Sequence, residues 1–332
     1  MLFNTLVTSA LVAATLAMPL APGHKHHEHE QKRDVVTIYT TVGAQAGATA
    51  PAAATSSVAA ASAPASSGVV SPGGSVGSAG AKGVTYSPYK VGGCKSASEV
   101  ASDLAQLTGF DIIRIYGVDC NQVDNVLKAK QPNQKVFAGI FDVSQISQGI
   151  ASIAASIKNT GSSWNDIHTI SVGNELVNNG QATPAQIIAY VAQAKAALSG
   201  TGYTGPVVSV DTFIAVINNP ALCDASDYIA INAHAFFDGH IAAADAGPWV
   251  LQQIQRVATT CPGKQVFVTE TGWPSQGDSN GVAVPSKPNQ QAAIASIKST
   301  CGNDAILFTA FNDYWKVDGP FNAEKYWGIL SN

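Results

Sequence analysis

Residues 168–175 read His-Thr-Ile-Ser-Val-Gly-Asn-Glu, an apolar β-branched run that stops at a glycine and is followed by two polar residues. Short runs of this kind are typical of strands that are buried on both faces, as in parallel sheets. Seven similar runs lie between Gly83 and Phe311, at residues 83–86, 111–116, 135–141, 206–211, 227–232, 265–270 and 305–311. The sequence therefore predicts eight strands.

Helical segments separate these runs. Ser96-Ala97-Ser98-Glu99 has the pattern of a capping box, and Thr183-Pro184 puts proline at a first helical position. Eight strand–helix units over about 250 residues predict an α/β fold, a single (β/α)8 TIM barrel. A doubly wound open sheet is the alternative topology, but its common Gly-x-Gly-x-x-Gly signature does not follow the first strand.

The composition of the 332-residue chain changes near position 82. We expect residues 1–21 to be a signal peptide and residues 22–33 to be a His-rich propeptide that ends in Lys32-Arg33. Residues 34–82 are rich in Ala, Ser, Thr and Gly, which predicts a disordered low-complexity linker. Residues 83–332 form the predicted catalytic domain. The His-rich tract lacks a fixed ligand spacing, so we predict no metal site there.

Charge and hydropathy exclude two classes of partner. The formal net charge is −4 with only 12% charged residues, and residues 83–332 contain no cluster of Lys and Arg. This pattern argues against nucleic acid as a partner. No apolar stretch after the leader reaches the length of a membrane span, so we expect a secreted protein without a transmembrane segment.

Two glutamates stand where a barrel carries its chemistry, at the C-terminal ends of strands. Residues 83–332 contain four glutamates, of which Glu175 ends the fourth strand and Glu270 the seventh. Glu99 has a capping role, and Glu324 lies in the C-terminal segment. Either strand-end glutamate alone could cap a helix or pair with a base. Together they predict glycoside hydrolysis, which needs two facing carboxylates and no metal or cofactor.

The segments that carry these glutamates also carry a family resemblance. Val172-Gly173-Asn174-Glu175 and Val268-Thr269-Glu270-Thr271-Gly272-Trp273-Pro274 resemble motifs of glycoside hydrolase family 17, and so do residues 83–86 and 113–117. The chain is most similar to the fungal cell-wall β-1,3-glucanases and glucanosyltransferases of that family. The resemblance implies a retaining mechanism with Glu175 as acid/base and Glu270 as nucleophile, their carboxyls about 5–5.5 Å apart. It also implies β-1,3-glucan as substrate and an extracellular location in the cell wall. We further expect a monomer.

Other residues are predicted to support the site. The resemblance implies that Asn174 hydrogen-bonds the sugar 2-hydroxyl. Tyr116 either orients Glu270, contacts the sugar ring or packs at the barrel rim, and Arg114 either bridges the carboxylates or pairs within the barrel. Aromatic rings suit the C–H faces of glucose. The aromatic side chains expected around the cleft are His234, Phe236, Phe237, Trp273, Tyr314 and Trp315.

Five cysteines, an odd number, fit an oxidising compartment and leave at least one without a partner in the chain. Cys94 and Cys120 follow the first and second strands, so both belong to the upper face of the barrel. Cys223, Cys261 and Cys301 precede the sixth, seventh and eighth strands on the lower face. We predict a Cys94–Cys120 bridge and one further bridge among the other three.

Three functions remain open at this point. A β-1,3-glucan hydrolase and a glucanosyltransferase share every residue discussed, and differ in whether water or a second glucan takes the glycosyl group. A glucan-binding wall protein whose barrel has lost catalysis is the first alternative. A purely structural wall mannoprotein is the second. The intact pair Glu175 and Glu270 favours the enzyme.

Overall fold

Eight parallel strands form the wall of a barrel in the computed structural model, which describes residues 78–331. They are β1 (Gly83–Thr85), β2 (Ile112–Ile115), β3 (Lys135–Ile140), β4 (Ile167–Val172), β5 (Val207–Val208 and Val210–Thr212), β6 (Ile229–Asn232), β7 (Val266–Thr271) and β8 (Ala305–Leu307). Each strand pairs with its neighbours in chain order, and β8 pairs with β1. The first segment of β5 pairs with β4 and the second with β6, so the ring is interrupted only at Ser209. The predicted TIM barrel is confirmed.

Seven helices surround the strands in the described part of the chain. They are α1 (Ala97–Leu104), α2 (Gln122–Ala129), α3 (Ile146–Thr160), α4 (Pro184–Leu198), α5 (Phe213–Asn218), α6 (Ala246–Thr260) and α7 (Lys287–Cys301). The capping box of Ser96 and Glu99 opens α1, and Thr183 caps α4 with Pro184 in its first turn, as predicted. After β8 the chain continues as loops with one 3-10 turn, Pro320–Asn322.

The alternation of side chains along each strand separates an outer core from the barrel interior. In β2, Ile113 and Ile115 belong to the outer core between strands and helices, whereas Ile112 belongs to an inner cluster. That inner cluster fills the barrel toward the N-terminal ends of the strands with Ile112, Phe137, Val208, Val210, Tyr228, Ala230, Phe267 and Ile306. Arg114 is two residues beyond Ile112 on the same inward face. The barrel interior therefore changes from apolar to polar toward the C-terminal ends, which we call the mouth.

The folded part begins before the predicted boundary at position 83. Ala81 is fully buried, and Lys82 pairs with Asp111 at 2.8 Å. Residues 78–82, predicted to end the linker, therefore pack on the barrel. The predicted signal peptide, propeptide and remaining linker, residues 1–77, lie outside the described residues. Within residues 78–331, no helix has the length and apolarity that crossing a bilayer requires.

The described residues contain two disulfide bridges, one on each face of the barrel. Cys94 bonds Cys120 and ties a short hairpin, Tyr89–Lys90 with Gly93–Cys94, to the loop after β2. Cys223 bonds Cys261 on the lower face, where the connections enter β6 and β7. Cys301, at the end of α7, is a buried free thiol. The hairpin is thus held beside the mouth.

Candidate active site

Glu175 follows β4 at a sharp turn of the backbone. Gly173 has a φ of 73°, which favours glycine, and a Cβ at this position would lie 2.7 Å from Leu176 Cδ1, so a larger residue would strain the turn. Glu175 itself has a φ of 54°, which is rare for a residue with a side chain and recurs at functional sites. Its side chain is only 3% exposed. The turn after β4 therefore directs this carboxyl into the mouth of the barrel rather than along the strand.

Glu270 lies near the end of β7, where the register with both neighbouring strands shifts. Such bulges re-aim side chains and are common beside active sites. Glu270 is 6% exposed. The seventh strand thus presents the second carboxyl to the same mouth as Glu175.

Arg114 of β2 connects the residues of β4 and β7 from inside the barrel. Its Nη1 donates to Glu270 Oε1 at 2.9 Å and to the Thr269 carbonyl at 2.8 Å. Its Nη2 donates to Asn174 Oδ1 at 2.9 Å. Arg114 is 1% exposed, so it holds other residues in position and has no surface on which a sugar could bind. Of the two roles considered for Arg114, these contacts match pairing within the barrel.

Two more donors hold Glu270. The Tyr116 hydroxyl donates to Oε1 at 2.8 Å, and His234 Nε2 lies 3.3 Å from Oε2. Burial alone would raise the pKa of Glu270, but the charge of Arg114 and the contacts of His234 and Tyr116 offset it and hold the pKa at about 2. Burial, with the charge of Glu270, raises the pKa of Tyr116 well above its usual value. Glu270 is therefore a carboxylate and Tyr116 a neutral donor across the ordinary pH range.

Asn232 links the two glutamates and was missed by the sequence analysis. Its Nδ2 donates to Glu175 Oε1 at 2.9 Å, and its Oδ1 accepts from Arg114 Nη1 at 3.5 Å. A chain of hydrogen bonds thus runs from Glu175 through Asn232 and Arg114 to Glu270. The sequence held a signal, because Asn232 is the polar residue that ends the apolar run of β6.

Two of the predicted aromatic residues do not face the cleft. Phe236 and Trp273 are both fully buried, and their rings pack against each other with centroids 5.5 Å apart. Trp273 Nε1 also donates to the Val284 carbonyl at 3.1 Å. We correct their predicted role in sugar binding, because neither ring has surface left for a sugar. They support the loops after β6 and β7 from below.

Other aromatic and charged side chains do line the mouth. Phe308, which directly follows β8 and was not predicted, is half-buried with its centroid 5.3 Å from that of His234. Lys316 Nζ lies 4.9 Å from the Phe308 centroid and 5.8 Å from that of Trp315. The Trp315 ring packs 4.9 Å from Tyr89 of the hairpin. Of the remaining predicted residues, Phe237 is half-buried and Tyr314 is exposed.

The chemistry available in this mouth is that of two carboxyl groups in different surroundings. One is ionised and held by three donors, and the other is buried against an amide. Among residues 78–331, no group of three or more His, Cys, Asp or Glu is arranged to hold a metal ion. Paired carboxyls of this kind can perform nucleophilic and acid/base steps on a glycosidic bond.

The chain is similar in sequence to known glycoside hydrolases and cell-surface proteins. Residues 83–328 match the family model described as the BtgE/BtgC glycoside hydrolase domain. The chain is 71% identical over 263 residues to the cell surface mannoprotein MP65 of Candida albicans, covering 79% of this chain and 69% of the relative. It is 62% identical over 257 residues to a protein of Saccharomyces cerevisiae named probable family 17 glucosidase SCW4, covering 77% of this chain and 66% of the relative. The chain thus spans about two thirds of the length of these relatives.

Solved structures share the fold. An active-site mutant of the Rhizomucor miehei β-1,3-glucanosyltransferase, in complex with laminaritriose, superposes with a TM-score of 0.66 at 20% identity. The superposition covers 77% of this chain and 95% of that structure. At this identity the match concerns the barrel itself.

Proposed function

The chain belongs to the BtgE/BtgC glycoside hydrolases, whose relatives include family 17 glucosidases, and we propose that it is a retaining β-1,3-glucan-active enzyme of the fungal cell wall. The observation that carries this proposal is the pair Glu175 and Glu270, which lie at the C-terminal ends of β4 and β7 and are joined through Asn232 and Arg114. An ionised carboxylate beside a second carboxyl is the apparatus of retaining glycosidases.

Glu270 is the proposed nucleophile. Its oxygen bonds the anomeric carbon while the glycosidic carbon–oxygen bond breaks, and the electron pair of that bond goes to the leaving oxygen. The nucleophile must be ionised, and the pKa of about 2 satisfies this requirement. Arg114, Tyr116 and His234 fix the orientation of the carboxylate, which lowers the entropy cost of the attack.

Glu175 is the proposed acid/base. In the first step it gives its proton to the leaving sugar oxygen. In the second step it takes a proton from water or from a sugar hydroxyl, whose oxygen attacks the anomeric carbon and releases the Glu270 carboxylate. Water gives hydrolysis, and a glucan hydroxyl gives transfer. The buried, hydrogen-bonded position of Glu175 supports this role.

Asn174 is the proposed donor to the sugar 2-hydroxyl. Its Oδ1 accepts from Arg114 Nη2 at 2.9 Å and from Asn232 Nδ2 at 3.3 Å. These two contacts fix the orientation of the amide and leave its Nδ2 group to donate toward the mouth. Hydrogen bonds to the 2-hydroxyl strengthen in the transition state of glycoside cleavage.

The substrate proposal combines the names of relatives with the lining of the mouth. The structural neighbour is named a β-1,3-glucanosyltransferase and holds laminaritriose. In the present chain a row of side chains leads away from Glu270: first the rings of His234 and Phe308, then Lys316, and then the rings of Trp315 and Tyr89. Flat rings of this kind pack against glucose units. We propose that the row binds successive units of a β-1,3-glucan.

The location follows similar reasoning. The name of the Candida albicans relative places that protein at the cell surface, and the two disulfides of this chain fit an oxidising compartment. We propose secretion to the cell wall, with wall remodelling as the role. Both proposed catalytic groups come from one chain, which is consistent with action as a monomer.

The deciding experiment follows product sizes over time from a laminari-oligosaccharide labelled at its reducing end. Wild type is compared with Glu270→Ala. Products longer than the starting sugar establish transfer, and shorter products alone establish hydrolysis; either result supports the proposal if the variant is inactive. An inert wild type that still binds insoluble glucan would overturn the proposal in favour of the glucan-binding alternative.

A further inference from the structure

Asp211 is a third buried carboxyl beside the mouth. It belongs to the second segment of β5 and is 4% exposed. Its carboxylate accepts three backbone N–H groups. Oδ2 accepts from Val177 at 2.9 Å, and Oδ1 accepts from Asn178 at 3.2 Å and from Thr212 at 2.8 Å. Two of these donors, Val177 and Asn178, belong to the turn that directly follows Glu175.

The main chain of β5 also holds this turn. The Glu175 N–H donates to the Val210 carbonyl at 2.9 Å, and the Glu175 carbonyl accepts from the Asn179 N–H at 3.0 Å. The Thr212 hydroxyl donates to Asn178 Oδ1 at 2.9 Å. The turn is therefore bonded to β5 at Glu175 itself and at Val177 and Asn178, which follow it.

Burial makes the ionised form of Asp211 unfavourable. Burial raises the pKa of Asp211 to about 7; the hydrogen bonds from Val177, Thr212 and Asn178 act against this rise, and the charge of Glu175 adds to it. A buried carboxyl is tolerated where it satisfies groups that would otherwise stay unpaired. At Asp211 those groups are the N–H donors of the turn that carries Glu175.

We propose that Asp211 is a positioning residue, which holds the turn at residues 175–179 and thereby aims the Glu175 carboxyl at the glycosidic oxygen. The inference rests on the proposed role of Glu175 as acid/base. A residue that acts through the acid/base affects only the proton transfers. It leaves the attack of Glu270 on the anomeric carbon unchanged.

The test therefore compares a substrate whose cleavage requires proton transfer from Glu175 with one whose cleavage does not. In Asp211→Asn the amide group replaces one acceptor oxygen and turns a donor toward backbone N–H donors. A laminari-oligosaccharide needs protonation of its leaving oxygen, whereas a 2,4-dinitrophenyl β-laminaribioside does not. With azide present, the second step of the aryl substrate also needs no base, because azide carries no proton to remove.

We expect Asp211→Asn to lower kcat roughly 10- to 100-fold on the oligosaccharide, the scale of a small misplacement of a catalytic group. With the aryl substrate and azide we expect a loss of less than about threefold by the same reasoning, because Glu175 takes no part. The matched control is Asp227→Asn. Asp227 Oδ2 also accepts a backbone N–H of β5, from Val207 at 2.7 Å, but at the N-terminal end of the strand. The Asp227→Asn variant should change kcat, relative to wild type, by the same factor on both substrates.

Equal losses on both substrates, or no loss on the oligosaccharide, would overturn the inference on Asp211 while leaving the proposed function intact. A wild type that turns over neither substrate would overturn both. If the Asn variant does not fold, Asp211→Glu is measured instead. It keeps the carboxylate but moves it by one methylene, and the same difference between substrates is expected.

Discussion

Arg114 on β2 donates to Glu270 on β7 at 2.9 Å across the inside of the barrel, 156 positions away in the chain. The same guanidinium donates to Asn174 beside Glu175. One buried cation thus fixes the geometry at both strands that carry the proposed catalytic groups. A buried pair of this kind adds little to stability by itself, but losing one partner leaves an uncompensated charge. The main effect of Arg114 is to keep Glu270 ionised and fixed in orientation.

Replacing Glu270 with Ala is expected to abolish turnover nearly completely, because the variant lacks the carboxylate proposed to attack the anomeric carbon. Added azide can occupy the space of the lost carboxylate and attack the anomeric carbon from the same side. We expect an α-glycosyl azide from a substrate with an activated leaving group, identified by proton NMR. A β-glycosyl azide from this variant would contradict the assignment of Glu270 as nucleophile.

Replacing Glu175 with Gln is expected to lower turnover of laminari-oligosaccharides by roughly 10²- to 10⁴-fold, the usual contribution of a general acid/base. The loss should be smaller for aryl substrates, whose leaving groups need less protonation. Rates on a series of aryl leaving groups measure this difference. A loss that is independent of the leaving group would rule out Glu175 as the acid.

Removing the Tyr116 hydroxyl is expected to move the acidic limb of the pH–rate profile to higher pH. The Tyr116 donor helps to hold the pKa of Glu270 at about 2, so Tyr116→Phe raises that pKa. Hydrogen bonds to charged groups contribute about 1.5–3 kcal/mol, so kcat/KM should fall roughly 10-fold or more. The measurement is kcat/KM from acid to neutral pH. Tyr190→Phe on the outer helix α4 is the matched control, and superimposable profiles for wild type and Tyr116→Phe would contradict the prediction.

The depressed pKa of Glu270 also predicts how stability depends on pH. The pKa of Glu270 in the folded protein, about 2, lies below its ordinary value of 4.5. Ionised Glu270 therefore stabilises the fold above about pH 4.5, and this stabilisation is lost as the pH falls through 2. This pH-dependent part, the difference between the ionised and the protonated form of Glu270, is on the order of 3 kcal/mol; it is distinct from the net contribution of the ion pair, which desolvation offsets. We expect the difference in unfolding free energy between wild type and Glu270→Gln to shrink from pH 5 to pH 2.

Glu99 provides the control for this measurement. Hydrogen bonds from Lys90 and Ser96 also lower the pKa of Glu99 to about 2, but this side chain is exposed on α1. Solvent screens exposed pairs, so Glu99→Gln should change the pH dependence of stability much less. Equal effects of the two substitutions in denaturant titrations would contradict the assignment of a buried, strongly paired Glu270.

The fold and the two glutamates could be predicted because both depend on local pattern. Apolar runs mark strands, and barrel topology puts whatever ends a strand into the mouth. The same rule applied to all polar residues would also have found Asn232 and Asp211. It could not show that Trp273 and Phe236 are buried, because a loop after a strand can turn either ring inward. Lys316 approaches Phe308 through the loop after β8, whose course has no periodic signal.

The two disulfides are expected to affect different properties. Their loops span 26 and 38 residues, so chain entropy predicts a similar contribution of about 4 kcal/mol from each. Replacing Cys223 and Cys261 with Ser should lower the melting temperature without changing KM, because this bridge lies on the lower face. Replacing Cys94 and Cys120 should also raise KM for long glucans, because the hairpin beside Trp315 loosens. An equal KM for both double variants would contradict this division.

Trp315 is expected to set the preference for chain length. Its ring packs against Tyr89 between β8 and β1, which lie opposite β4 in the eight-membered ring of strands. In the proposed mechanism Glu175 protonates the leaving sugar on the β4 side, so the retained part of the glucan should extend toward β8 and β1. Trp315→Ala should then raise KM roughly 10-fold for long oligosaccharides, the scale of losing one stacked ring, and leave KM for an aryl glucoside nearly unchanged. Trp164 lies just before β4 on the lower face, where its ring packs 5.4 Å from that of Tyr203, so Trp164→Ala should alter stability alone. A similar rise in KM for short and long substrates would show that Trp315 supports the loop rather than the sugar.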